Sequence, residues 1–534
     1  MPSFSSNSSL AIAASGAALI TYLLHRSLSV RVLDAIPGPD SPSWLYGHEW
    51  DIYRAQAGEL WNQWIARWGT VVKYKNAFFN GYSILVADPL AIKALLIDGP
   101  DGFAVHKPPF NRQTNERLLG RGVIWAEEDG HRKQRRLLSP AFSTKSIDAV
   151  SPAFYKIAEE VKSAWSSLPQ SSSGEILVNV AEFMSRAALD VIGYAGFQYQ
   201  FNAVSSATAE AVAITDGLSA ALGAPPSFRI FLALALAKSF PWFFNHAPLP
   251  AIRSQKESKA SIDTVAFKLL SDVNSNATEQ NKTSILSILL EDQKKGGGLS
   301  DREIVDNVAT MITAGHETTG ITLSLILYEL SRDQDLQNRL REELTGDGAI
   351  SFEGLQNGKA PILDAIIKEV LRFYPANTRI IRRADRDFVV PLSQPLETKE
   401  GPQDRFIIPA GTDIVFPLAA INRLESVWGP DAHLFRAERW LEPGGIPDTV
   451  NALPAGYDHI FTFVAGPRAC LGMRFAVSEM RVIISELVST FTFRPADDSG
   501  VPLDIVSPAQ IMIRAQDPRR GIYGVPLRVG FVNQ

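Results

Sequence analysis

The chain has one cysteine, Cys470, among 534 residues, which excludes intramolecular disulfide bonds and is typical of a reducing compartment. Its formal net charge is −5 at pH 7, and this modest acidic balance argues against a nucleic-acid partner. The glycine pattern G-x-G-x-x-G does not follow any predicted strand, so the chain lacks a recognisable flavin- or nicotinamide-binding segment. Low-complexity linkers and internal repeats are also missing, which favours one large domain despite the length.

The single cysteine lies in the sequence FTFVAGPRACLGMRF, in a glycine-containing loop that precedes a predicted amphipathic helix. Backbone N–H groups at a helix N-terminus stabilise a thiolate, so Cys470 suits either nucleophilic catalysis or metal ligation. A cysteine nucleophile needs a histidine base, and a phosphatase loop has its arginine after the cysteine rather than before it. The observed pattern, F-x-x-G-x-R-x-C-x-G, is formed by Phe463, Gly466, Arg468, Cys470 and Gly472.

Three further motifs precede this loop in the chain. Ala314–Thr319, with the sequence AGHETT, lies in a helix predicted from about Ile304 to Leu330. Glu369 and Arg372 are three residues apart, a spacing that places both on one helix face, where they can pair. By itself, a Glu–Arg pair at this spacing is common on solvent-exposed helices and carries little information. The segment FRAERW, which contains Arg439, follows them.

Together these motifs resemble those of the cytochrome P-450 family, and the resemblance extends from about residue 35 to residue 530. It implies that Cys470 supplies the axial thiolate ligand of haem b iron, in a loop shaped by Phe463 and Gly466. It also implies that Glu317 and Thr318 are catalytic residues that deliver protons on the opposite side of the haem. The resemblance further implies a buried structural triad and a set of haem propionate contacts. The triad would be Glu369, Arg372 and Arg439, and the propionate contacts would be Arg468, Arg135, Arg382 and His131. The family commonly has tryptophan at the position of His131 and proline at that of Ala437.

The expected fold is the mainly α-helical P-450 fold with small β-sheets, behind an N-terminal membrane anchor. Residues 1–9 are predicted to form a lumenal tail, residues 10–30 a transmembrane anchor and its flank, and residues 31–534 the haem domain. Leu10–Leu24 is largely apolar, and the basic residues Arg26 and Arg31 follow it. This pattern predicts a single-pass protein of the endoplasmic reticulum membrane with a cytosolic catalytic domain. A cleaved signal peptide is the alternative, although its positive start is missing.

The resemblance implies a monooxygenase that inserts one oxygen atom from O2 into a hydrophobic small molecule, by hydroxylation or epoxidation. Electrons would come from NADPH through a P-450 reductase, with a small haem cytochrome as a further possible donor. Fungal secondary metabolism, such as terpenoid biosynthesis, is the expected setting. The alternatives are a xenobiotic or fatty-acid hydroxylase, a haem-thiolate isomerase or dehydratase, and a haem or lipid carrier without catalysis.

Two expectations concern the substrate and the membrane. The substrate-facing segments implied by the resemblance are rich in Phe, Ala, Ile and Pro, so an apolar pocket is expected, with Asn377 and Thr378 available to orient a substrate oxygen. These segments are Phe103–Trp125, Tyr199–Phe244, Ala376–Ile381 and Ser507–Ile513. The apolar run Phe228–Ala237, extended by the aromatic residues of Pro241–Phe244, predicts a segment that lies in the bilayer surface, and an ordinary buried helix is the alternative.

Overall fold

The computed structural model describes residues 32–532, apart from 79, 99–104, 207, 223–226, 240–249, 276–284, 295–298, 347, 399–400, 498 and 508–511. The predicted anchor at residues 10–30 lies outside this range. Within the range, no helix combines the length and the apolar character needed to cross a bilayer. The described chain is mainly helical with small sheets, which confirms the predicted fold class.

Most of the amino-terminal half of the chain consists of helices that precede the long central helix. They are α1 (Glu49–Arg54), α2 (Glu59–Trp68), α3 (Pro89–Leu96), α4 (Pro109–Leu119), α5 (Glu128–Leu138), α6 (Thr144–Ser166), α7 (Val180–Val191), α8 (Ala209–Leu222), α9 (Phe228–Ser239), α10 (Pro250–Ser275) and α11 (Ile285–Lys294). Several begin at clear sequence signals. Asp88, for example, caps α3 by accepting hydrogen bonds from the backbone N–H groups of Leu90 and Ala91, and Pro89 occupies the first turn.

The central helix α12 (Asp301–Arg332) spans 32 residues, which corresponds to a length of about 48 Å. A capping box fixes its start, because Ser300 and Glu303 each accept a hydrogen bond from the other's backbone N–H. Nearly all of its side chains are buried, since α7, α10 and later helices surround it. The helix predicted from about 304 to 330 is therefore confirmed, with slightly wider bounds.

The helices after α12 form the carboxyl-terminal part of the core. They are α13 (Gln334–Thr345), α14 (Phe352–Gln356), α15 (Pro361–Phe373), α16 (Leu418–Ile421), α17 (Glu425–Trp428) and α18 (Met473–Thr490). The amphipathic helix predicted to follow Cys470 is α18. In the structure α18 ends at Thr490, and Phe491 has extended backbone geometry and begins a strand.

In the described part of the chain, four small sheets border the helices. The five-stranded sheet has the order β1 (Val71–Lys75), β2 (Tyr82–Val86), β8 (Asp413–Phe416), β5 (Ile380–Ala384) and β3 (Val105–His106). All of its pairings are antiparallel except that of β2 with β8. The second sheet has the order β4 (Ile176–Asn179), β12 (Pro526–Phe531) and β9 (Phe491–Pro495). The other two are the pairs β6 (Phe388–Thr398) with β7 (Gly401–Ile408) and β10 (Asp504–Val506) with β11 (Arg514–Gln516).

The apolar run Phe228–Ala237 lies in α9, which packs against α1. Its Phe231 is buried and contacts the rings of Tyr46, Trp50 and Tyr53. One face of α9 therefore belongs to an aromatic core. Phe228 is exposed at 43%, so the prediction that part of this helix lies in a membrane surface stays a prediction.

Candidate active site

The loop that carries Cys470 consists of two short 3-10 turns, Phe461–Phe463 and Gly466–Arg468, immediately before α18. The backbone N–H of Cys470 donates a hydrogen bond to the carbonyl oxygen of Phe463 at 2.8 Å, which closes the loop. Gly466 has φ of 72°, and a Cβ at this position would lie 2.6 Å from the carbonyl oxygen of Leu96. The glycine of the motif is therefore required both by its left-handed backbone and by the close approach of the chain.

The Cys470 thiol is surrounded by protein and yet accessible, a combination that fits a group facing an interior space. Burial raises the pKa of the thiol. The backbone N–H groups of Gly472 and Met473 and the guanidinium of Arg135 act in the opposite direction. A bound metal cation would complete the stabilisation of the thiolate, so the surroundings of Cys470 fit a metal ligand.

Within buried α12, Ala314 and Thr318 lie one turn apart on the same face, and both are more accessible than most of their neighbours. The Thr318 hydroxyl donates a hydrogen bond to the Ala314 carbonyl oxygen at 2.8 Å. The helix itself therefore orients this hydroxyl. Because Ala314 and Gly315 carry so little side chain, the centre of the helix leaves room beside Thr318.

Glu317 directly precedes Thr318 and lies about 100° around the helix from it, so the two side chains leave α12 in different directions. The Glu317 carboxylate is buried and forms an ion pair with Arg514 of β11. It lines a cavity of about 300 Å³ together with Arg514, Ser185 and Tyr523. The predicted transfer of protons between Glu317 and Thr318 thus needs an intermediary such as water.

Arg514 was not recognised in the sequence, because a lone arginine 197 residues from its partner leaves no local signal. His316 also lies near the Glu317 carboxylate, with 3.5 Å between His316 Nε2 and Glu317 Oε2. Burial lowers the pKa of His316, so the imidazole is neutral and its contact with Glu317 is not an ion pair.

A group of cations lies beside the Cys470 loop, around the carboxylate of Glu127. Arg468 pairs with Glu127, and its Nη1 donates to the carbonyl oxygen of Ala126 at 2.7 Å. Lys107 Nζ lies 3.0 Å from Glu127 Oε1. Arg135 Nη1 donates to the carbonyl oxygen of Ala469 at 2.7 Å, directly beside the cysteine. Lys107 and Glu127 were not predicted, because neither belongs to a spaced motif.

The pKa values in this cluster show an excess of positive charge. Burial, followed by the charges of neighbouring cations, lowers the pKa of Lys107 to about 7 and that of Arg468 to about 10. Burial also lowers the pKa of Arg382, and the negative charge of Glu127 acts in the opposite direction. The opposing carboxylate charge that acts on Lys107 and Arg468 is that of Glu127. Two further carboxylates, such as the haem propionates, would offset most of this excess positive charge, so the residues of the cluster fit the predicted cofactor.

His131 differs from the other predicted propionate contacts. Burial and the positive charges of Arg468, Lys107 and Arg135 lower its pKa to about 3. In the protein described here the imidazole is therefore neutral and can form a hydrogen bond rather than an ion pair. The propionate contact of His131 therefore stays a prediction, and in this cluster the residue would make it as a neutral group.

The predicted triad is brought together in the core. Glu369, Arg372 and Arg439 are each 0% exposed. Arg372 Nη2 lies 2.7 Å from Glu369 Oε1, and Arg439 Nε lies 3.2 Å from the same oxygen. The indole Nε1 of Trp440 donates to Glu369 Oε2 at 3.0 Å. A single buried carboxylate thus holds two buried guanidinium groups.

Asn422 connects this triad to the cysteine loop. Arg372 Nη1 donates to the Asn422 carbonyl oxygen at 2.8 Å. The Asn422 side chain accepts a hydrogen bond from the backbone N–H of Phe461 at 2.8 Å and donates to Thr462 Oγ1 at 2.8 Å. The Thr462 hydroxyl in turn donates to the carbonyl oxygen of Leu371 on α15 at 2.5 Å. Asn422 therefore couples the position of Arg372 in the triad to the backbone of the cysteine loop.

Of the two polar residues expected to face a substrate, Thr378 is fully buried and its hydroxyl lies 3.5 Å from that of Ser507. Asn377 is exposed and forms an isolated bridge with Met512. The Thr378 hydroxyl is therefore buried within the protein, and Asn377 is the more accessible of the two residues.

Comparisons with known proteins agree with this arrangement. A family model described as Cytochrome P450 matches residues 37–518. Cytochrome P450 monooxygenase claW of Ampulloclitocybe clavipes is 32% identical over 516 residues, covering 92% of each chain. Cytochrome P450 monooxygenase claP of the same fungus is 31% identical over 528 residues, covering 96% of each chain. Cytochrome P450 monooxygenase 128 of Postia placenta is 27% identical over 526 residues, covering 92% of each chain.

Proposed function

The chain belongs to the cytochrome P450 family of monooxygenases, and we propose that it oxidises a hydrophobic small molecule of fungal secondary metabolism, such as a terpenoid. The observation that carries this proposal is the accessible Cys470 thiol in the protein interior, with a cation-rich cluster beside it. The fungal origin of the relatives supports the metabolic setting. Haem bound through the Cys470 sulfur would supply oxygen activation, because thiolate ligation donates electron density that favours O–O cleavage.

The residues that would hold the haem carboxylates are those of the cation cluster. Arg468, Arg135 and Arg382 would bind as cations, and His131 would donate a hydrogen bond. Lys107 would regain its full positive charge beside a carboxylate, since its pKa of about 7 reflects burial among other cations. Glu127 keeps Lys107 and Arg468 close together, and so positions them for the cofactor.

On the opposite side, Thr318 and Glu317 would control protons. The Thr318 hydroxyl, held by the Ala314 carbonyl oxygen, would present its Oγ1 beside the small residues of α12. The Glu317 carboxylate would exchange protons with water once its ion pair with Arg514 opens.

We also propose a setting for the enzyme. Residues 10–30 would anchor it in the endoplasmic reticulum membrane with the catalytic domain in the cytosol, because basic residues follow the apolar run. Electrons would come from NADPH through a P-450 reductase, since the chain lacks a recognisable nucleotide-binding motif of its own. A small haem cytochrome would be a second donor.

The test uses the full chain with haem, a P-450 reductase and NADPH, incubated with a set of hydrophobic fungal metabolites under isotopically labelled O2. We expect a product that carries one labelled oxygen atom and whose formation requires NADPH. A xenobiotic or fatty-acid substrate from the same test would change the setting but keep the reaction. A rearranged or dehydrated product without labelled oxygen, formed without NADPH, would instead identify an isomerase or dehydratase.

Replacing Thr318 with alanine should raise the hydrogen peroxide formed per NADPH consumed by several-fold, because oxygen is reduced without an ordered proton donor. Haem content should be unchanged. Thr322 offers a matched control, because its hydroxyl donates in the same way to the Thr318 carbonyl oxygen at 2.9 Å. Thr322→Ala removes an equivalent helix bond and should leave the peroxide yield at the parental level. Equal peroxide yields from both variants would show that Thr318 only stabilises the helix.

A further inference from the structure

The segment between α4 and α5 runs between the central helix and the cysteine loop. On one side, the backbone N–H groups of Arg121 and Val123 donate to Asp306 Oδ2 at 2.8 Å and to Asn307 Oδ1 at 3.0 Å, both on α12. On the other side, the carbonyl oxygen of Ala126 accepts from Arg468 Nη1 at 2.7 Å. Trp125 lies between these two attachments. These attachments place the backbone of Trp125 between α12 and the cation cluster.

Arg112 of α4 stacks on this indole, with 3.9 Å between its Cζ and the centre of the Trp125 ring. Arg112 Nε and Trp125 Nε1 are both buried, and neither has a hydrogen-bond partner among the residues that the structure describes. The side-chain oxygen of Gln113, the next residue on α4, is also buried and also has no hydrogen-bond partner among the described residues. Two adjacent N–H donors, one of them cationic, are thus withdrawn from water without an acceptor.

The carboxylate best placed to neutralise Arg112 has another partner. Glu116 lies one turn further along α4, but its Oε1 contacts Arg121 Nε at 2.8 Å. In the described part of the chain no ion pair to Arg112 is formed. The Arg112 Nε–H and the Trp125 indole N–H are buried donors without an acceptor, which costs stability, and an oxyanion bound between them would offset that cost.

We propose that Arg112 and Trp125 form a carboxylate-binding subsite, so that the substrate is an apolar molecule with one carboxylate group. The proposal rests on the proposed function and narrows its substrate class from hydrophobic molecules to hydrophobic acids. The carboxylate accepts hydrogen bonds from the Arg112 guanidinium and the Trp125 indole. The apolar body of the molecule then extends beside α12 towards Ala314 and Thr318. Arg112 is a specificity-determining residue in this arrangement and takes no part in the oxygen chemistry.

The test compares decanoic acid with methyl decanoate, which has the same apolar chain and no charge. Both are titrated by calorimetry into the full-length ferric holoprotein. We expect the acid to bind about 10- to 100-fold more tightly than the ester, the usual range for a hydrogen bond to a charged group. Arg112→Gln should remove this preference while leaving the affinity for the ester within about twofold of the parent. Arg112→Lys should restore part of it, since lysine keeps the charge but not the planar fork.

Arg121→Gln is the matched control. Arg121 is a second cation near the same indole, with 5.1 Å between its Cζ and the ring centre, but it is exposed and already paired with Glu116. This variant should keep the preference for the acid. An unchanged preference in Arg112→Gln, or equal binding of acid and ester by the parent, would overturn the proposal. Loss of haem from Arg112→Gln would overturn it too, by assigning Arg112 to the cofactor.

These outcomes are separate from a failure of the proposed function. The parent and both Arg112 variants should all give the CO-difference spectrum of a thiolate-ligated haem. If that spectrum is present and the acid preference is absent, the carboxylate subsite is wrong and the monooxygenase function stands. If the parent lacks the spectrum, the proposed function itself fails.

Discussion

Replacing Cys470 with serine is expected to abolish the red-shifted Soret band of the reduced, CO-bound protein together with all monooxygenase activity. The band depends on a thiolate ligand, and a serine hydroxyl does not ionise near neutral pH to replace it. The serine side chain fits the same space. The loop hydrogen bond at this residue uses the backbone N–H, which serine keeps. The variant should therefore fold, and its melting temperature measured without CO should stay close to that of the parent.

Cys470→His tests the same idea with a different ligand. Histidine can bind haem iron but donates less electron density than a thiolate, so we expect haem to be retained with a CO spectrum of the histidine type and without activity. A Cys470→Ser protein with the parental spectrum would show that another side chain is the ligand. Cys470 is the only cysteine of the sequence, so that result would remove the thiolate from the mechanism altogether.

Removing the charge of Glu369 should have the largest effect on stability. Glu369→Gln leaves Arg372 and Arg439, both fully buried, without their shared carboxylate. Breaking a buried ion pair on one side typically costs about 3–5 kcal/mol, because the remaining charge stays buried without compensation. The contact of Arg439 Nη1 with Asp431 Oδ1 at 2.9 Å remains and moderates the loss. The free energy of unfolding of the full-length protein in detergent, measured by urea denaturation, checks this.

Glu438→Gln provides the control for charge alone. Glu438 lies in the same 3-10 turn as Arg439, but its ion pair with Arg339 at 3.0 Å is partly exposed. Its loss should cost about 1 kcal/mol or less. Similar effects of Glu369→Gln and Glu438→Gln would contradict the structural role assigned to the triad.

The route from the triad to the cysteine loop gives the same prediction a second readout. Because Asn422 joins Arg372 to Phe461 and Thr462, disorder of the triad should release the loop and lower the haem content. Asn422→Ala should lower the haem content with a smaller loss of global stability, since the ion pairs of Glu369 are untouched. If Asn422→Ala holds haem as tightly as the parent, the triad supports the fold without acting on the loop.

The sequence by itself determined the parts of this protein that rest on local spacing. The loop around Cys470 needs a glycine at 466, an arginine at 468 and a helix that begins after the cysteine, and all three follow from neighbouring residues. The central helix was predictable from about Ile304 to Leu330 because it is one continuous stretch of the chain, whereas its cap at Ser300 became evident only in the structure. The pairing of Glu369 with Arg372 follows from helix periodicity.

Tertiary structure alone decided the partners of the charged groups. Arg468 meets Glu127 from 341 residues away in sequence, and Glu317 meets Arg514 of a different element. The sequence placed cations near the cofactor, but it did not show that they crowd one another and leave His131 neutral. The physical reason is that the charge of a buried group depends on solvation and on neighbours within a few ångströms, and chain folding determines both. Spacing along the sequence specifies which chemistry is present, and packing specifies its protonation and its partners.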